Sequence, residues 1–228
     1  MEAPVETEQK TSHPLGEDLF PWPLHSYAGK RILDILVSLA LLLLTCWLFP
    51  LVAIGIKLTS AGSVFFRGSR AGQAGREFKL LKFRSMTSGT PGGPITAAQD
   101  ARITPLGRIL RKTKIDELPQ LINVLRGDMS IVGPRPEDYS IVQECYTRDQ
   151  LRVLSAPAGL TGPLQVRVFP EFADKVPPGE DANTYYKTKL LPARIAEDLE
   201  YVDQMSLWLD LKVIAQTGYC ILVKSWRG

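Results

Sequence analysis

Residues 35–56 read ILVSLALLLLTCWLFPLVAIGI, a run of 22 residues without a charge. As one straight α-helix the run is about 33 Å long, which is enough to cross the hydrocarbon core of a bilayer. Pro50 lies inside the run and removes one internal hydrogen bond, so a kink or break is predicted near Phe49 and Pro50. The sequence therefore predicts a bent, membrane-embedded helix.

Basic residues flank the run on both sides. Lys30 and Arg31 precede it, and Lys57 and Arg67 follow it. The positive-inside rule then places both ends on the cytosolic side of the membrane. A helix that enters, bends and returns satisfies this rule if protein or water covers its broken backbone. We therefore predict a re-entrant membrane helix over residues 28–58 rather than a span. A cleaved signal peptide fits poorly, because the run is too long for the apolar region of one and follows a leader of about 30 residues that contains acidic side chains.

The segments outside the run differ in composition. Residues 1–27 carry four prolines among polar and acidic residues, which predicts a disordered leader. Residues 59–228 are predicted to form a cytosolic catalytic domain with helices at the membrane interface. One of these is the amphipathic stretch 206–224, which either lies among the headgroups or packs on the core.

A β-hairpin is predicted at the start of this domain. Residues 63–67 and 77–83 are rich in β-branched or aromatic side chains, and Gly72-Gln73-Ala74-Gly75 between them is a turn sequence. Residues 88–94 are rich in Gly and Pro and predict a loop.

Helices are predicted to follow the hairpin. Thr104 and Pro105 open a helix over residues 106–112. Asp116 is expected to cap the next helix, with Pro119 in its first turn. The predicted fold class is α+β: a small mixed domain, mostly helical with a short hairpin.

Composition excludes several kinds of active site. The two histidines, His13 and His25, precede the apolar run, so a Ser-His-Asp triad or a histidine-ligated zinc is improbable. The three cysteines, at positions 46, 145 and 220, are far apart and are expected to be reduced thiols. Neither common glycine-rich phosphate-binding motif occurs.

Positive charge is concentrated in residues 57–114. This window holds twelve Lys or Arg residues and only two acidic ones, a net charge of +10, against +3 for the whole chain. Such a concentration predicts an anionic partner, namely a phosphate-bearing ligand, an acidic lipid surface or nucleic acid. A solvated basic face explains the charge equally well.

Two adjacent carboxylates, Asp116 and Glu117, follow this basic window. Such a pair most often only caps a helix and complements its dipole. Here cations surround it in sequence: Arg108, Arg111, Lys112 and Lys114 come before it, and Arg135 comes after. Cations bind phosphate oxygens, while a carboxylate can hold Mg²⁺ or attack phosphorus. The pattern therefore suits phosphoryl transfer.

Several strings at characteristic spacing resemble the bacterial sugar transferases, also called monotopic phosphoglycosyl transferases. The resemblance runs from about Lys30 to Lys212. Its strings are Lys82-Phe83-Arg84-Ser85-Met86, Pro94-Ile95-Thr96, Asp100-Ala101-Arg102-Ile103-Thr104, Asp116-Glu117-Leu118-Pro119-Gln120-Leu121 and Gly127-Asp128-Met129-Ser130-Ile131-Val132-Gly133-Pro134-Arg135-Pro136.

The resemblance implies an enzyme that transfers a sugar 1-phosphate from a nucleotide sugar, usually a UDP-sugar, to undecaprenyl phosphate. It implies a monotopic protein of the bacterial inner membrane that faces the cytosol, contacts membrane lipids and initiates exopolysaccharide, lipopolysaccharide O-antigen or glycoprotein assembly. A homodimer is left open, and nucleic acid is not expected as a partner.

The resemblance also implies site residues. Asp116 would attack the sugar-bearing phosphate and form an aspartyl phosphosugar, Glu117 would assist as acid/base, and Mg²⁺ would lie between Asp116 and the diphosphate. Four cations would bind phosphate: Lys82, Arg84, Arg111 and Arg135.

The chain departs from the family pattern at two places. Phe49, rather than the frequent serine, precedes Pro50. Residues 157–163 read PAGLTGP and lack an Arg and a Trp that the family usually has there, so no sugar or nucleotide contacts are carried over from this stretch. The segment from 169 to 186 carries no chemistry that can be interpreted.

Two other functions remain open at this point. A catalytically inactive membrane adaptor would use the basic window to bind acidic lipids or a partner enzyme. A membrane-tethered nucleic-acid binder is weaker, because aromatic residues are not interleaved with the basic ones.

Overall fold

A computed structural model of the protein describes residues 24, 25, 27–87, 100–167 and 181–221. Most of the predicted leader, the predicted loop at 88–94, the Pro94-Ile95-Thr96 string and residues 169–180 lie outside these ranges. The described strands are β1 (Phe65–Ala71), β2 (Glu77–Phe83), β3 (Ser130–Val132) and β4 (Gly159–Thr161). The described helices are α1 (Ala28–Thr45), α2 (Leu48–Thr59), α3 (Pro105–Lys112), α4 (Gln120–Arg126), α5 (Tyr139–Cys145), α6 (Pro163–Arg167), α7 (Ala182–Tyr185), α8 (Leu191–Gln204) and α9 (Leu207–Tyr219). The α+β class is therefore confirmed.

The apolar run forms two helices, α1 and α2, whose axes bend by 62° at a turn formed by Cys46 and Trp47. The break lies a few residues before the predicted position. Pro50 has no N–H for the carbonyl of Cys46, which instead accepts from the N–H of Phe49 at 3.2 Å. Pro50 therefore lies in the first turn of α2, where proline is tolerated.

Within the described ranges, no single helix is long and apolar enough to cross a membrane, but α1 and α2 together, as a bent pair, have sufficient length and apolar character. Most large side chains of α1, α2 and the turn between them are exposed, including Leu36, Leu43, Leu44, Trp47, Leu51, Ile54 and Leu58.

One polar face of α1 is buried against the rest of the protein. The ammonium of Lys30 lies 2.7 Å from Oδ2 of Asp210 on α9 and donates to the carbonyl of Val132 at 2.7 Å. The hydroxyl of Tyr201 donates to Oδ1 of Asp210 at 2.7 Å, and that of Tyr27 donates to Oδ2 at 2.6 Å. A buried, fully partnered ion pair thus joins α1 to the domain.

The same face makes two more attachments. Asp34 accepts from the hydroxyl of Ser130 at 2.9 Å and from the N–H of Ile131 at 2.8 Å. Arg31 donates to the carbonyls of Val124 and Leu125 at the end of α4. A helix C-terminus has unsatisfied carbonyls and partial negative charge, so a guanidinium suits it.

The predicted hairpin is confirmed. Strands β1 and β2 pair antiparallel, with Phe65 opposite Phe83 and Ala71 opposite Glu77. Strand β2 has the predicted bounds, whereas β1 begins and ends later than residues 63–67, because the short connection at 72–76 fixes which residues face each other. Ala74 in this connection has a φ of 55°.

A second sheet was not predicted. Strands β3 and β4 are three residues each and pair parallel, with Ser130 opposite Gly159 and Val132 opposite Thr161. The backbones approach closely after β3, since a Cβ on Gly133 would lie 2.3 Å from the carbonyl oxygen of Pro157. This approach fixes the start of the loop at 133–137.

The predicted amphipathic stretch forms α9, which begins after Ser206. Val213 is buried in the main core with residues of β2, α4, β3 and α8, while Trp208 on the same helix is 78% exposed. One face of α9 thus packs on the core and another stays exposed.

Candidate active site

The Asp116–Glu117 pair lies in a short 3₁₀ turn, Ile115–Glu117, between α3 and α4. The expectation that Asp116 caps the next helix is wrong: α4 begins later, and no side chain caps either element. Pro119 explains this, because it offers no N–H to the carbonyl of Ile115, which accepts from the N–H of Leu118 instead.

Helix α3 leads directly into this turn. Thr104 caps α3 by accepting a hydrogen bond from the N–H of Gly107 at 2.9 Å. The predicted helix over residues 106–112 is confirmed, and it begins one residue earlier, at Pro105. Lys114 then adopts a left-handed conformation with a φ of 59°. Such a conformation costs a non-glycine residue roughly 1–2 kcal/mol and is often found at functional sites.

Strand β2 brings the predicted cation Lys82 to the turn. Its ammonium lies 2.9 Å from Oε1 of Glu117, and both side chains are largely buried. Burial favours a neutral Glu117, but the charges of Lys82, Lys114 and Arg135 outweigh it and hold the pKa of Glu117 well below its usual range. Glu117 is therefore ionised in the free protein.

Asp116 has a different environment. It is 4% exposed, and its Oδ1 atom has no hydrogen-bond partner among the described residues. Burial, reinforced by the negative charge of Glu117, raises the pKa of Asp116 to about 6 against the opposing effect of Lys82, Lys114 and Arg111. Near pH 7 Asp116 is thus ionised and largely desolvated.

Two more of the predicted phosphate-binding cations act electrostatically on the carboxylates of this turn. Arg111 lowers the pKa of Asp116, and Arg135 lowers the pKa of Glu117, so each has an electrostatic influence on the pair. With Lys82 and Lys114, four cations act on two carboxylates, which leaves a surplus of two positive charges. Such a surplus favours a dianionic diphosphate.

Arg84 has a structural role that the sequence did not predict. Its guanidinium donates to the carbonyl of Ala61 at 2.7 Å and to the carbonyl of Ser60 at 2.8 Å, and its side chain is buried. These bonds attach the end of α2 to the end of β2. Two of its guanidinium nitrogens are thus bonded to backbone carbonyls, and the phosphate contact of Arg84 stays a prediction.

The two carboxylates could help to hold Mg²⁺. Across the described ranges, no three His, Cys, Asp or Glu side chains are close enough to form a complete metal site. Mg²⁺ commonly binds one or two carboxylates and completes its coordination with water and substrate phosphates. The unpartnered Oδ1 of Asp116 fits such a partial site.

Arg135 lies in the loop at 133–137, which is fixed on three sides. The N–H of Gly133 donates to Thr161 at 2.9 Å, and the carbonyl of Pro134 accepts from Gly159 at 2.7 Å. At the other end, the carbonyl of Glu137 accepts from Ala71 on β1 at 3.1 Å.

Helix α8 makes the third attachment. A guanidinium nitrogen of Arg194 donates to the carbonyl of Arg135 at 3.2 Å. Arg194 also pairs with Glu137 at 2.9 Å, and Tyr186 donates to the same carboxylate.

Sequence reasoning did not single out Arg194, Asp198 or Tyr186. One signal was present: Arg194 and Asp198 are four residues apart and share a helix face with Leu191, Ile195 and Val202, all of which are buried. Charged residues on an apolar helix face are seldom fully buried unless paired. Lys114, whose charge also reaches the carboxylates, was noted in the sequence only as one of the cations that precede them.

Comparison with known proteins places the chain in a family. The bacterial sugar transferase profile matches residues 25–224. A UDP-glucose:undecaprenyl-phosphate glucose-1-phosphate transferase of Caulobacter vibrioides is 42% identical over 82% of this chain and 67% of its own length. A UDP-N-acetylgalactosamine-undecaprenyl-phosphate N-acetylgalactosaminephosphotransferase of Aeromonas hydrophila is 36% identical over 90% of this chain.

The relatives differ in length. The chain spans 46% of the Aeromonas protein and 39% of an Escherichia coli glucose-1-phosphate transferase that is 38% identical to it. In contrast, it spans 92% of the exopolysaccharide production protein PSS of Rhizobium leguminosarum, which is 37% identical. The match covers α1, α2 and the carboxylate turn alike, and the chain belongs to the bacterial sugar transferase family.

Proposed function

We propose that this protein transfers a sugar 1-phosphate from a UDP-sugar to undecaprenyl phosphate through an aspartyl phosphosugar on Asp116, and so initiates glycan assembly. The observation that carries the proposal is Asp116 itself, a buried carboxylate with an unpartnered oxygen among an excess of cations. A desolvated carboxylate is a competent nucleophile, and the cations stabilise the charge of the phosphate it attacks.

In the first step, a carboxylate oxygen of Asp116 attacks the phosphorus that bears the sugar. A new bond forms between Asp116 and phosphorus, and the bond to the UMP oxygen breaks, so UMP leaves with the electron pair. Arg111, Arg135 and Lys82 bind the phosphate oxygens and compensate the developing charge.

In the second step, a phosphate oxygen of undecaprenyl phosphate attacks the same phosphorus. The bond to Asp116 breaks, the carboxylate is restored, and an undecaprenyl diphosphate sugar is released. Glu117, the neighbouring carboxylate, is proposed to assist as acid/base.

Mg²⁺ would be held by Asp116, with the remaining ligands from substrate phosphates and water. When bound, it would neutralise charge on the diphosphate and act as a Lewis acid at phosphorus. The surrounding cations disfavour a metal in the absence of substrate, so Mg²⁺ is expected to enter with the UDP-sugar.

The donor is expected to be UDP-glucose or another UDP-hexose. Two relatives whose matches cover most of this chain are named as transferases that use UDP-glucose and UDP-N-acetylgalactosamine. The name of the Rhizobium relative supports a role in exopolysaccharide production.

A single-turnover experiment tests the reaction. Purified protein is mixed with Mg²⁺ and each of a panel of UDP-sugars, without lipid, and UMP and the mass of the peptide containing Asp116 are measured. We expect one sugar to give up to one equivalent of UMP and a peptide heavier by a sugar phosphate, which undecaprenyl phosphate then removes. UMP release that requires the lipid and leaves the peptide unmodified would contradict the covalent intermediate.

The rate of this first step should depend on pH. Because only ionised Asp116 attacks, and its pKa is about 6, the second-order rate constant for UMP release in this single turnover should be constant above pH 7 and fall about tenfold per pH unit below pH 6. Measuring UMP release without lipid from pH 5 to pH 8 avoids titration of the lipid phosphate. A rate that is flat over this range, with the fold intact by circular dichroism, would rule out a raised pKa at the nucleophile.

The membrane arrangement is part of the proposal. We propose that α1 and α2 enter and leave the bacterial inner membrane from the cytosolic side, which the 62° bend, the exposed apolar side chains and the basic flanks support. The exposed side chains of α9, among them Trp208, are proposed to contact the lipid interface.

Cysteine labelling distinguishes a re-entrant helix from a span. Single cysteines are introduced as Leu24→Cys and Leu58→Cys in a variant lacking Cys46, Cys145 and Cys220, and are treated with a membrane-impermeant maleimide. Both positions are expected to react in inverted vesicles, and neither is expected to react in intact spheroplasts. Labelling of position 24 alone in spheroplasts would show that the helix crosses the bilayer.

A further inference from the structure

Strand β2 has one edge that no other strand covers. Within the described ranges its sheet consists of the two strands of the hairpin, and β1 lies along one side of β2 only. Residues two apart on a strand direct their backbone N–H and C=O groups to the same side. The polar groups of Lys79 and Leu81 therefore share an edge, and buried backbone groups of this kind need partners.

The side-chain amide of Asn123 on α4 occupies the uncovered edge. Its Oδ1 atom accepts from the N–H of Leu81 at 3.0 Å, and its Nδ2 atom donates to the carbonyl of Lys79 at 3.0 Å. Asn123 is fully buried, so water does not reach the amide to replace these bonds. One side chain thus pairs with β2 at two points, much as a neighbouring strand would.

A third hydrogen bond fixes the orientation of this amide. Its Nδ2 atom also donates to Oδ2 of Asp128 at 3.0 Å. Gly127, with a φ of 91°, ends α4 and turns the chain back, so that the N–H of Asp128 donates to the carbonyl of Asn123 at 3.0 Å. Both amide hydrogens of Asn123 are therefore used, and a flipped amide would direct its oxygen at two acceptors.

The same two segments meet again at the carboxylate turn. Lys82 is the residue after Leu81 on β2, and Glu117 lies six positions before Asn123. The ammonium of Lys82 is 2.9 Å from Oε1 of Glu117. The Asn123 bonds and this ion pair are thus two attachments between neighbouring parts of β2 and the stretch from the turn to α4.

The Asn123 bonds determine how α4 lies along β2. Between the two attachments, Leu80 of β2 and Leu121 of α4 are buried in the main core. Apolar packing has no preferred direction, whereas hydrogen bonds depend on distance and angle. A slip of one residue along β2 would turn the wrong backbone groups towards the amide, so the two bonds allow one register.

We propose that Asn123 is a positioning residue for the transfer reaction: by holding α4 in register along β2, it keeps the ammonium of Lys82 beside Glu117, where Lys82 binds the diphosphate of the donor. Asn123 is buried and acts through Lys82 rather than by touching substrate. The proposal rests on the transferase function proposed above. A misplacement of about 1 Å can cost roughly 10²-fold in rate.

The deleting variant is Asn123→Leu, which has a similar volume but forms none of the three hydrogen bonds. Val124→Ala is the matched control, because Val124 is the next residue of α4, is equally buried in the main core and has no polar side-chain atom. Both variants are measured at the same interval below their own Tm, so that lost stability affects them alike. If Asn123→Leu fails to fold, Asn123→Ser serves instead, because its short hydroxyl cannot reach both Lys79 and Leu81.

Hydrogen exchange tests the attachment without substrate. The Leu81 amide is compared with the Leu80 amide, which points to the opposite edge, toward β1. We expect the ratio of their exchange rates to rise at least about tenfold in Asn123→Leu and to keep its wild-type value in Val124→Ala. The rates are read at single-residue resolution by mass spectrometry with electron-transfer fragmentation.

Kinetics test whether the attachment acts through Lys82. In steady-state turnover with Mg²⁺ and undecaprenyl phosphate, we expect kcat/KM for the UDP-sugar to fall roughly 10- to 100-fold in Asn123→Leu and to stay near the wild-type value in Val124→Ala. In the Lys82→Met background, Asn123→Leu should cause little further loss, because its effect passes through Lys82. A purely structural role would instead lower turnover in both variants alike and give losses that multiply.

Three results would each overturn the proposal: a wild-type ratio of Leu81 to Leu80 exchange in the Asn123 variant, equal losses of turnover in Asn123→Leu and Val124→Ala, or multiplicative losses in the Lys82→Met background. Failure of the underlying function is recognised separately. A wild-type protein that turns over no UDP-sugar would refute the transferase, and exchange at Leu81 would then decide on the attachment by itself.

Discussion

Asp116→Asn is expected to reduce UMP release by at least about a thousandfold, with the protein still bound to membranes. The substitution preserves the shape of the side chain but replaces the carboxylate oxygen by an amide, which is a very poor nucleophile. Losses of this size are typical when a covalent nucleophile is removed. The measurement is UMP release with Mg²⁺, undecaprenyl phosphate and the preferred UDP-sugar, together with flotation on vesicles.

Asp149→Asn is the control for this experiment, because Asp149 is exposed and its side chain does not cap the neighbouring turn. It should retain wild-type turnover. An adaptor without catalytic function would be indifferent to both substitutions, so equal activity in the two variants would refute the role of Asp116. Loss of flotation in Asp116→Asn alone would indicate misfolding rather than a chemical effect.

Asp210→Leu is expected to destabilise the protein by about 3–5 kcal/mol, the largest loss of stability we predict. The substitution leaves the ammonium of Lys30, whose side chain is 3% exposed, without its counter-ion. It also removes the acceptor of the hydroxyls of Tyr27 and Tyr201. In a chain of this size the loss corresponds to a decrease in Tm of roughly 6–20 °C, measured by thermal unfolding in detergent.

The double variant Lys30→Met/Asp210→Leu separates the ion pair from the packing around it. An apolar pair avoids the buried, uncompensated charge, so the double variant should recover at least half of the lost stability. Asp203→Leu, which removes one partner of an exposed ion pair, should change stability by less than about 1 kcal/mol. Simple addition of the Lys30→Met and Asp210→Leu effects would show that the two side chains do not act as a pair.

Local features of the chain could be predicted because contiguous residues determine them. The apolar run with its proline predicted a bent helix, and the break lies only a few residues away because Pro50 disrupts the bond to the carbonyl four residues before it. The hairpin and α3 follow in the same way from turn and capping residues between short patterned segments.

The grouping of charged residues at the candidate site was predicted in part. Asp116 and Glu117 were identified as adjacent carboxylates after a basic window, and Lys82, Arg111 and Arg135 do act electrostatically on them. Arg84 shows the limit of this reasoning, because the sequence could not reveal that the end of α2 would occupy its guanidinium.

The sequence by itself determined the apolar helix pair, the hairpin and the chemical nature of the site, because helix periodicity, turns and neighbouring charges act over a few residues. Only the tertiary structure decided which distant groups meet. Lys30 pairs with Asp210 across 180 positions, β3 pairs with β4, and α8 holds the backbone of Arg135. These pairings depend on how the whole core packs, since burial makes a partner obligatory for a charge or a backbone group but does not specify which residue supplies it.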